Sequence, residues 1–410
     1  MAPSVTPVTV KGRYFWKDDK RFMINGVIYQ PHGQGREEFG TIKDPLSDDK
    51  IHWLARSIPL LKELQINTLI VYDLDSSKNY DASMSMLAEA GIYVLPCIAP
   101  IQNGVGMKSG ATFETYYNEV LQSYFRAIDN MARYSNTLGL VVSYEFIKDA
   151  TLTVMAPLIR SVVRDVKRYM RLVSTKRTQR VLPVGIIASD IQDVLKPQFD
   201  YFAAEPDSEA LDFFAFNNFS WAGISSMKAS GYEGMVKQFS STPIPVFLSS
   251  YGNTAYTPRL FQETLAIYTD KDMLRIFSGG AVYEFFQGFN EYGLVKAVET
   301  PGNADIRITK FQDFGTLRER IRRAFVLLPE ALSSYSNTDA PSGKRPDPPQ
   351  ISRKWQGAEV DPESPLNWAE IENQIADSEW VDVAKEMVDI AVDDLASSIW
   401  DKLNVDEIEP

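Results

Sequence analysis

Between residues 9 and 335, short apolar runs alternate with longer stretches whose apolar residues recur every three or four positions. This is the βα repeat of a parallel sheet or barrel. Runs at 22–29, 68–72, 93–96, 139–144, 181–187, 213–217, 246–249 and 281–285 read as strands. Helical spacing fills 51–64, 113–134 and 156–172, the last through Ile159, Val162, Val163, Val166 and Met170. An open doubly wound sheet gives a similar alternation, but eight units favour closure, so the expected class is α/β, a (β/α)8 TIM barrel over 9–335.

The periodicity breaks at Asn337–Gln350, where Pro, Gly, Ser and charge predict a linker, taken as 336–365. Beyond it, Trp380, Val383, Ala384, Met387, Ala391, Leu395, Ile399 and Leu403 lay an apolar stripe on an acidic helical tail over 366–405. Such a stripe ordinarily packs back on its own domain. The alternative is a partner-binding or self-assembly helix, with Trp380, Met387, Leu395 and Trp400 as its contacts and a homo-oligomer or polymer as the product.

Charge sharpens this division. Residues 356–410 hold 16 acidic residues against two lysines, so they outweigh the whole chain's net −12 and leave the rest near neutral. With no basic patch to neutralise phosphates, nucleic-acid binding is excluded. No run of about 18 apolar residues exists, which excludes a membrane-spanning helix. Cys97 is the single cysteine, and the first fifteen residues lack a basic segment followed by an apolar one. Both point to a cytoplasmic protein. Two histidines, His32 and His52, with one cysteine do not make a zinc site, and neither fits a serine triad, so no metal or cofactor is expected.

Reactive groups of such barrels sit at the C-terminal ends of the strands. Two ends carry a glycosidase pattern: Leu140-Val141-Val142-Ser143-Tyr144-Glu145, and Pro245-Val246-Phe247-Leu248-Ser249-Ser250-Tyr251-Gly252. Retaining glycosidases need two carboxyl groups about 5 Å apart. The first end supplies Glu145; the second supplies Ser250.

Over residues 11–330 the chain resembles the fungal cell-wall β-1,3-glucanosyltransferases of glycoside hydrolase family 72. The stretches that carry the resemblance include Ile24-Asn25-Gly26-Val27-Ile28-Tyr29-Gln30, Asn136-Thr137-Leu138-Gly139, Pro243-Ile244-Pro245-Val246-Phe247 and Asn290-Glu291-Tyr292-Gly293-Leu294-Val295. The resemblance implies Glu145 at the acid/base position and Ser250 where the nucleophilic Glu belongs. It implies a vestigial sugar cleft of Tyr29, Tyr72, Asn217, Tyr251 and Tyr283. The family's Asn before the acid/base is Tyr144 here, its second-strand Arg is Ile70, and a family Asp is Cys97. Two of its tyrosines are Phe219 and Phe285, and Leu54, Ser83, Ala222 and Asn253 stand where it tends to carry cysteines.

A serine hydroxyl carries no charge to attack an anomeric carbon or stabilise an oxocarbenium-like transition state. The expected function is therefore a catalytically inactive, cytosolic, glucanosyltransferase-like scaffold or self-assembling protein. The alternative is a β-1,3-glucan-binding protein or residual glucanosyltransferase of the cell wall. A regulator of active family members is a third class.

Overall fold

Eight parallel strands curl into a barrel because their side chains must fill two different spaces, the barrel's own interior and the layer beneath the helices. The computed structural model describes residues 5–31, 44–72, 74–99, 118–177, 179–299, 306–333, 344–358 and 362–377. The N-terminal strands β1 (Thr9–Lys11), β2 (Tyr14–Lys17) and β3 (Lys20–Phe22) form a small antiparallel sheet. The barrel follows with β4 (Ile24–Ile28), β5 (Thr68–Val71), β6 (Tyr93–Pro96), β7 (Leu140–Tyr144), β8 (Val184–Ala188), β9 (Phe213–Asn217), β10 (Val246–Tyr251) and β11 (Phe277–Val282). Neighbours run β6-β5-β4-β11-β10-β9-β8-β7. The two ends meet through parallel bridges Val94–Thr137 and Cys97–Val141, and Leu138 N–H donates to Val94 O at 2.8 Å. The expected TIM barrel is the fold observed.

Around it lie α1 (Ile51–Glu63), α2 (Asp81–Glu89), α3 (Asn118–Met131), α4 (Ala156–Arg177), α5 (Gln192–Ala203), α6 (Tyr232–Gln238), α7 (Gln262–Thr269) and α8 (Lys271–Ile276). A hairpin of β12 (Val295–Glu299) and β13 (Ile306–Lys310) leads to α9 (Gln312–Ser333), and α10 spans Trp368–Asp377.

The interior is packed, not hollow. Ile24, Ile28, Ile70, Leu95, Phe213 and Phe247 are fully or almost fully buried in one cluster. From below, Phe15 reaches the rings of Phe213 at 6.0 Å and Phe247 at 6.1 Å, so the N-terminal sheet floors the barrel. Gly185 admits the Phe213 ring: a Cβ there would lie 2.2 Å from it. The depth left open for chemistry is therefore at the C-terminal ends of the strands.

The stretch expected as a free linker is instead laid along the helices over the described residues 344–358. Trp355 is 1% exposed and packs 5.0 Å from Tyr201, while Tyr201 Oη donates to Ala358 O at 3.0 Å. Further on, Arg164 donates to Pro362 O, and Ser364 Oγ to Asp165 Oδ2 at 2.6 Å. Trp368 opens α10 under the guanidinium of Arg168, 4.3 Å from the ring centre. One buried indole thus turns a Pro-rich stretch into a strap. The expected assembly contacts Trp380, Met387, Leu395 and Trp400 lie outside the described residues, as does His32.

Candidate active site

At the top of β7 the parallel register with β8 shifts between Val141 and Ser143. The shift turns Tyr144 into the barrel mouth and leaves Glu145 in the left-handed region with φ 42°, its N–H donating to Ile187 O at 2.7 Å. Asn217, at the end of β9, donates its Nδ2 to Glu145 Oε1. Ser249 Oγ in turn donates to Asn217 Oδ1 at 2.8 Å, which fixes the amide with its donor toward the carboxylate. Glu145 is half-buried: held, but reachable.

β10 is also irregular. Its register shifts between Leu248 and Ser250 against β9 and again toward Tyr251 against β11. A bulge of this kind flips the strand's alternation. Ser250 turns inward, 1% exposed, with its Oγ against the Tyr72 hydroxyl. The Tyr72 Oη is buried as well, and the two hydroxyls interact with each other. The Tyr72 and Tyr144 rings lie 4.3 Å apart at 39°. Burial pushes both phenols well above their ordinary range, with the neighbouring Tyr144 adding to the effect at Tyr72 and Glu145 at Tyr144. They stay neutral hydroxyls over the whole working range of pH.

The opposite wall is aromatic. Tyr283 meets Tyr292 at 5.2 Å and Phe219 at 6.0 Å, and Phe219 meets Tyr292 at 5.6 Å. Asn290 Nδ2 donates to Tyr283 Oη at 3.0 Å. Burial, then the Glu284 carboxylate, push the Tyr283 phenol up to about 12. Behind this wall Arg259, 2% exposed, donates Nη1 to Tyr283 O at 2.7 Å, Nη2 to Tyr292 O at 2.6 Å and Nε to Asp313 at 2.6 Å. The wall is therefore anchored to α9 through a single guanidinium. The mouth presents a reachable carboxylate at Glu145, the buried hydroxyls of Tyr72 and Ser250, and flat ring faces. That set can hydrogen-bond hydroxyls, stack a saccharide ring and transfer a proton at Glu145.

Of the residues expected in the cleft, Tyr72, Asn217 and Tyr283 come together with Glu145 and Ser250. Tyr29 and Tyr251 do not. Tyr29 is buried behind the sheet against Phe285 and Phe286, and its Oη lies 3.2 Å from Ser57 Oγ. Tyr251 faces α7, with its Oη 3.3 Å from Thr264 Oγ1. Phe285 shares that outer layer, so it is Tyr283 that lines the mouth. Two acidic side chains at strand ends were not singled out. Asp190, two residues past β8, accepts from Asn218 Nδ2 at 2.7 Å and is pushed up by burial. Glu284 follows β11 and is 1% exposed. The criterion that picked Glu145, a carboxylate at a strand's C-terminal end, also picks these.

The sequence profile of the glucanosyltransferases of glycoside hydrolase family 72 matches residues 1–324. The 1,3-beta-glucanosyltransferase gel1 of Aspergillus fumigatus is 37% identical over 352 residues, 86% of this chain and 72% of that one. The 1,3-beta-glucanosyltransferase GAS5 of Saccharomyces cerevisiae is 35% identical, over 82% and 66% of the two chains. The structure of Saccharomyces cerevisiae Gas2p in complex with laminaripentaose superposes with a TM-score of 0.74 at 29% identity, covering 89% of this chain and 78% of that one.

These relatives overturn two expectations. An inactive cytosolic scaffold is corrected, because the similar proteins are 1,3-beta-glucanosyltransferases and the similar structures hold laminari-oligosaccharides. The cytoplasmic location falls with it: a lone cysteine and fifteen residues do not outweigh that kinship. Among the described residues, no helix is long and apolar enough to cross a membrane.

Proposed function

The chain belongs to the glucanosyltransferase family of glycoside hydrolase family 72, a family of retaining transglycosidases, and on that premise we propose that its cleft binds β-1,3-glucan while glucan transfer at it is residual. The observation that carries this reading is the mouth itself: Glu145 held by Asn217, facing a wall of Tyr283, Phe219 and Tyr292. Aromatic faces take the apolar faces of saccharide rings, and neutral hydroxyls suit an uncharged polyol.

Glu145 is assigned the acid/base position. It would protonate the departing glycosidic oxygen and then deprotonate the incoming acceptor hydroxyl. Ser250 is assigned the position of the second carboxylate. Its Oγ is buried, and among the described residues no base hydrogen-bonds it, so a covalent glycosyl intermediate is disfavoured by many orders of magnitude. Tyr144, tilted against the Tyr72 ring, narrows the same point. The barrel at 9–335 carries this function, with the strap and the acidic tail as extensions.

The test is incubation of the protein with reduced laminari-oligosaccharides, followed by chromatography of chain lengths and by a binding titration on the same sample. Saturable binding with new chain lengths only at traces is expected. Absence of any interaction with the sugars would remove the reading. Rapid conversion to longer chains would remove the role given to Ser250.

A further inference from the structure

The loops that follow three adjacent strands, β9, β10 and β11, each carry an exposed apolar side chain at the rim of the mouth: Ile224 at 83%, Tyr256 at 57% and Phe289 at 94%. Isolated exposed apolar residues are ordinary on any surface. Tyr256 differs in how it is held. Its ring lies directly on the backbone of Gly223, where a Cβ would sit 2.5 Å from Cδ2 and 2.8 Å from Cε2. Gly223 has φ 56°, a conformation that side chains disfavour, so both the space and the turn call for glycine. One face of the ring is thus fixed against the chain while the rest looks outward.

The loops on either side are fastened as well. Asn253 Nδ2 donates to Phe219 O at 2.5 Å, and Asn253 Oδ1 accepts from Ala255 N–H at 2.6 Å, tying the β10 loop to the β9 loop just ahead of Tyr256. Ser225 N–H donates to Gln262 Oε1 at 3.3 Å on the far side of Gly223. Arg259 then bridges the β10 loop, through Gly252 O at 3.3 Å, to the carbonyls of Tyr283 and Tyr292. Phe289 precedes Asn290, whose amide is bound to Tyr283 Oη. Tyr256 and Phe289 therefore stand on loops locked to the aromatic wall of the cleft, both falling between Phe219 and Tyr292 in chain order.

We propose that Tyr256 and Phe289 form an outer binding platform for β-1,3-glucan, which takes saccharide units beyond those held at Glu145 and makes affinity rise with chain length. The inference rests on the glucan-binding reading of the cleft. A preset ring face binds without first losing rotamer freedom, the condition under which an exposed aromatic adds to affinity. Continuity with the Phe219–Tyr283–Tyr292 wall selects a chain that leaves the cleft over the β9–β11 rim rather than an unrelated protein surface.

The test is a calorimetric comparison of laminaritriose and laminarihexaose with the full chain, Tyr256→Ala, Phe289→Ala and the conservative Tyr256→Phe, each first shown to melt as the parent does. The full chain should bind the hexaose more tightly than the triose. Each alanine should weaken the hexaose about fivefold, the ordinary worth of one aromatic contact, and leave the triose unchanged. Tyr256→Phe should behave as the parent, since it keeps the face. A hexaose affinity equal in parent and alanine variants, or no gain from triose to hexaose in the parent, overturns the platform while the cleft's function stands. No binding of either sugar overturns both.

Discussion

Replacing Arg259 by alanine should loosen the aromatic wall without altering any side chain that faces the sugar. The guanidinium is 2% exposed and uses its donors on Asp313, 15% exposed at the side chain, and on the carbonyls of Tyr283 and Tyr292. Truncation leaves a largely buried carboxylate without its cation and two carbonyls without donors. Losses of this kind cost about 3–5 kcal/mol together. With an unfolding entropy of about 2.1 cal/mol/K per residue over roughly 320 described residues, that lowers Tm by about 4–7 °C. Laminaripentaose affinity should fall in the same variant, because the backbone that sets Tyr283 and Tyr292 is freed. Arg259→Lys keeps the ion pair but loses the fork, so it should recover only part of both losses. Scanning calorimetry and a sugar titration on the three proteins decide it. A Tm drop under about 1 °C with unchanged affinity would refute the anchoring role.

Three further outcomes are expected. Glu263 is buried on α7, and burial pushes its carboxyl up to about 7 from an ordinary 4.5. The fold favours its protonated form, so that contribution is full below about pH 4.5 and lost as pH rises to 7, about 3 kcal/mol in all. Urea unfolding at pH 5 and 8 should show Glu263→Gln losing less stability over that span than the parent; equal losses would contradict it. Trp355→Ala empties a site 1% exposed and should cost about 3–5 kcal/mol locally, releasing the strap to proteolysis within 344–358; an unchanged cleavage pattern would count against the strap. Ser250→Glu alone places a charge beside Tyr72 and Tyr144 and should lower stability by about 1–3 kcal/mol. Joined to Tyr144→Asn, it should raise the yield of new chain lengths from laminari-oligosaccharides; no gain over the parent would count against the roles given to the two positions.

The barrel was legible because β5, β6, β9 and β10 each place three or four apolar residues in a row, a pattern that a doubly covered strand explains. The eighth strand was displaced. Phe277–Val282 contains Gly279-Gly280, which reads locally as a break, yet Gly279 has φ 95° and a Cβ there would meet Ile24 O at 2.1 Å. Barrel closure requires that glycine, and closure is a tertiary fact. The N-terminal sheet was missed because its strands are three to four residues long and rich in lysine and arginine. Glu145 and Ser250 were found because strand ends mark themselves by the change from apolar to polar. Tyr251 was misplaced because a bulge reverses the alternation within β10, and no residue in Phe247-Leu248-Ser249-Ser250 announces it. The strap was hidden by composition: Pro and charge read as linker, whereas a single tryptophan decides its docking.

The central claim is that the mouth around Glu145 is a β-1,3-glucan site, and titration of the full chain with laminaripentaose tests it most directly, with cellopentaose as the β-1,4-linked control and Tyr283→Ala as the cleft variant. The account predicts saturable binding of laminaripentaose alone, weakened about tenfold in Tyr283→Ala as one stacking wall is removed. No saturable binding, equal binding of both sugars, or an affinity indifferent to Tyr283 would contradict it.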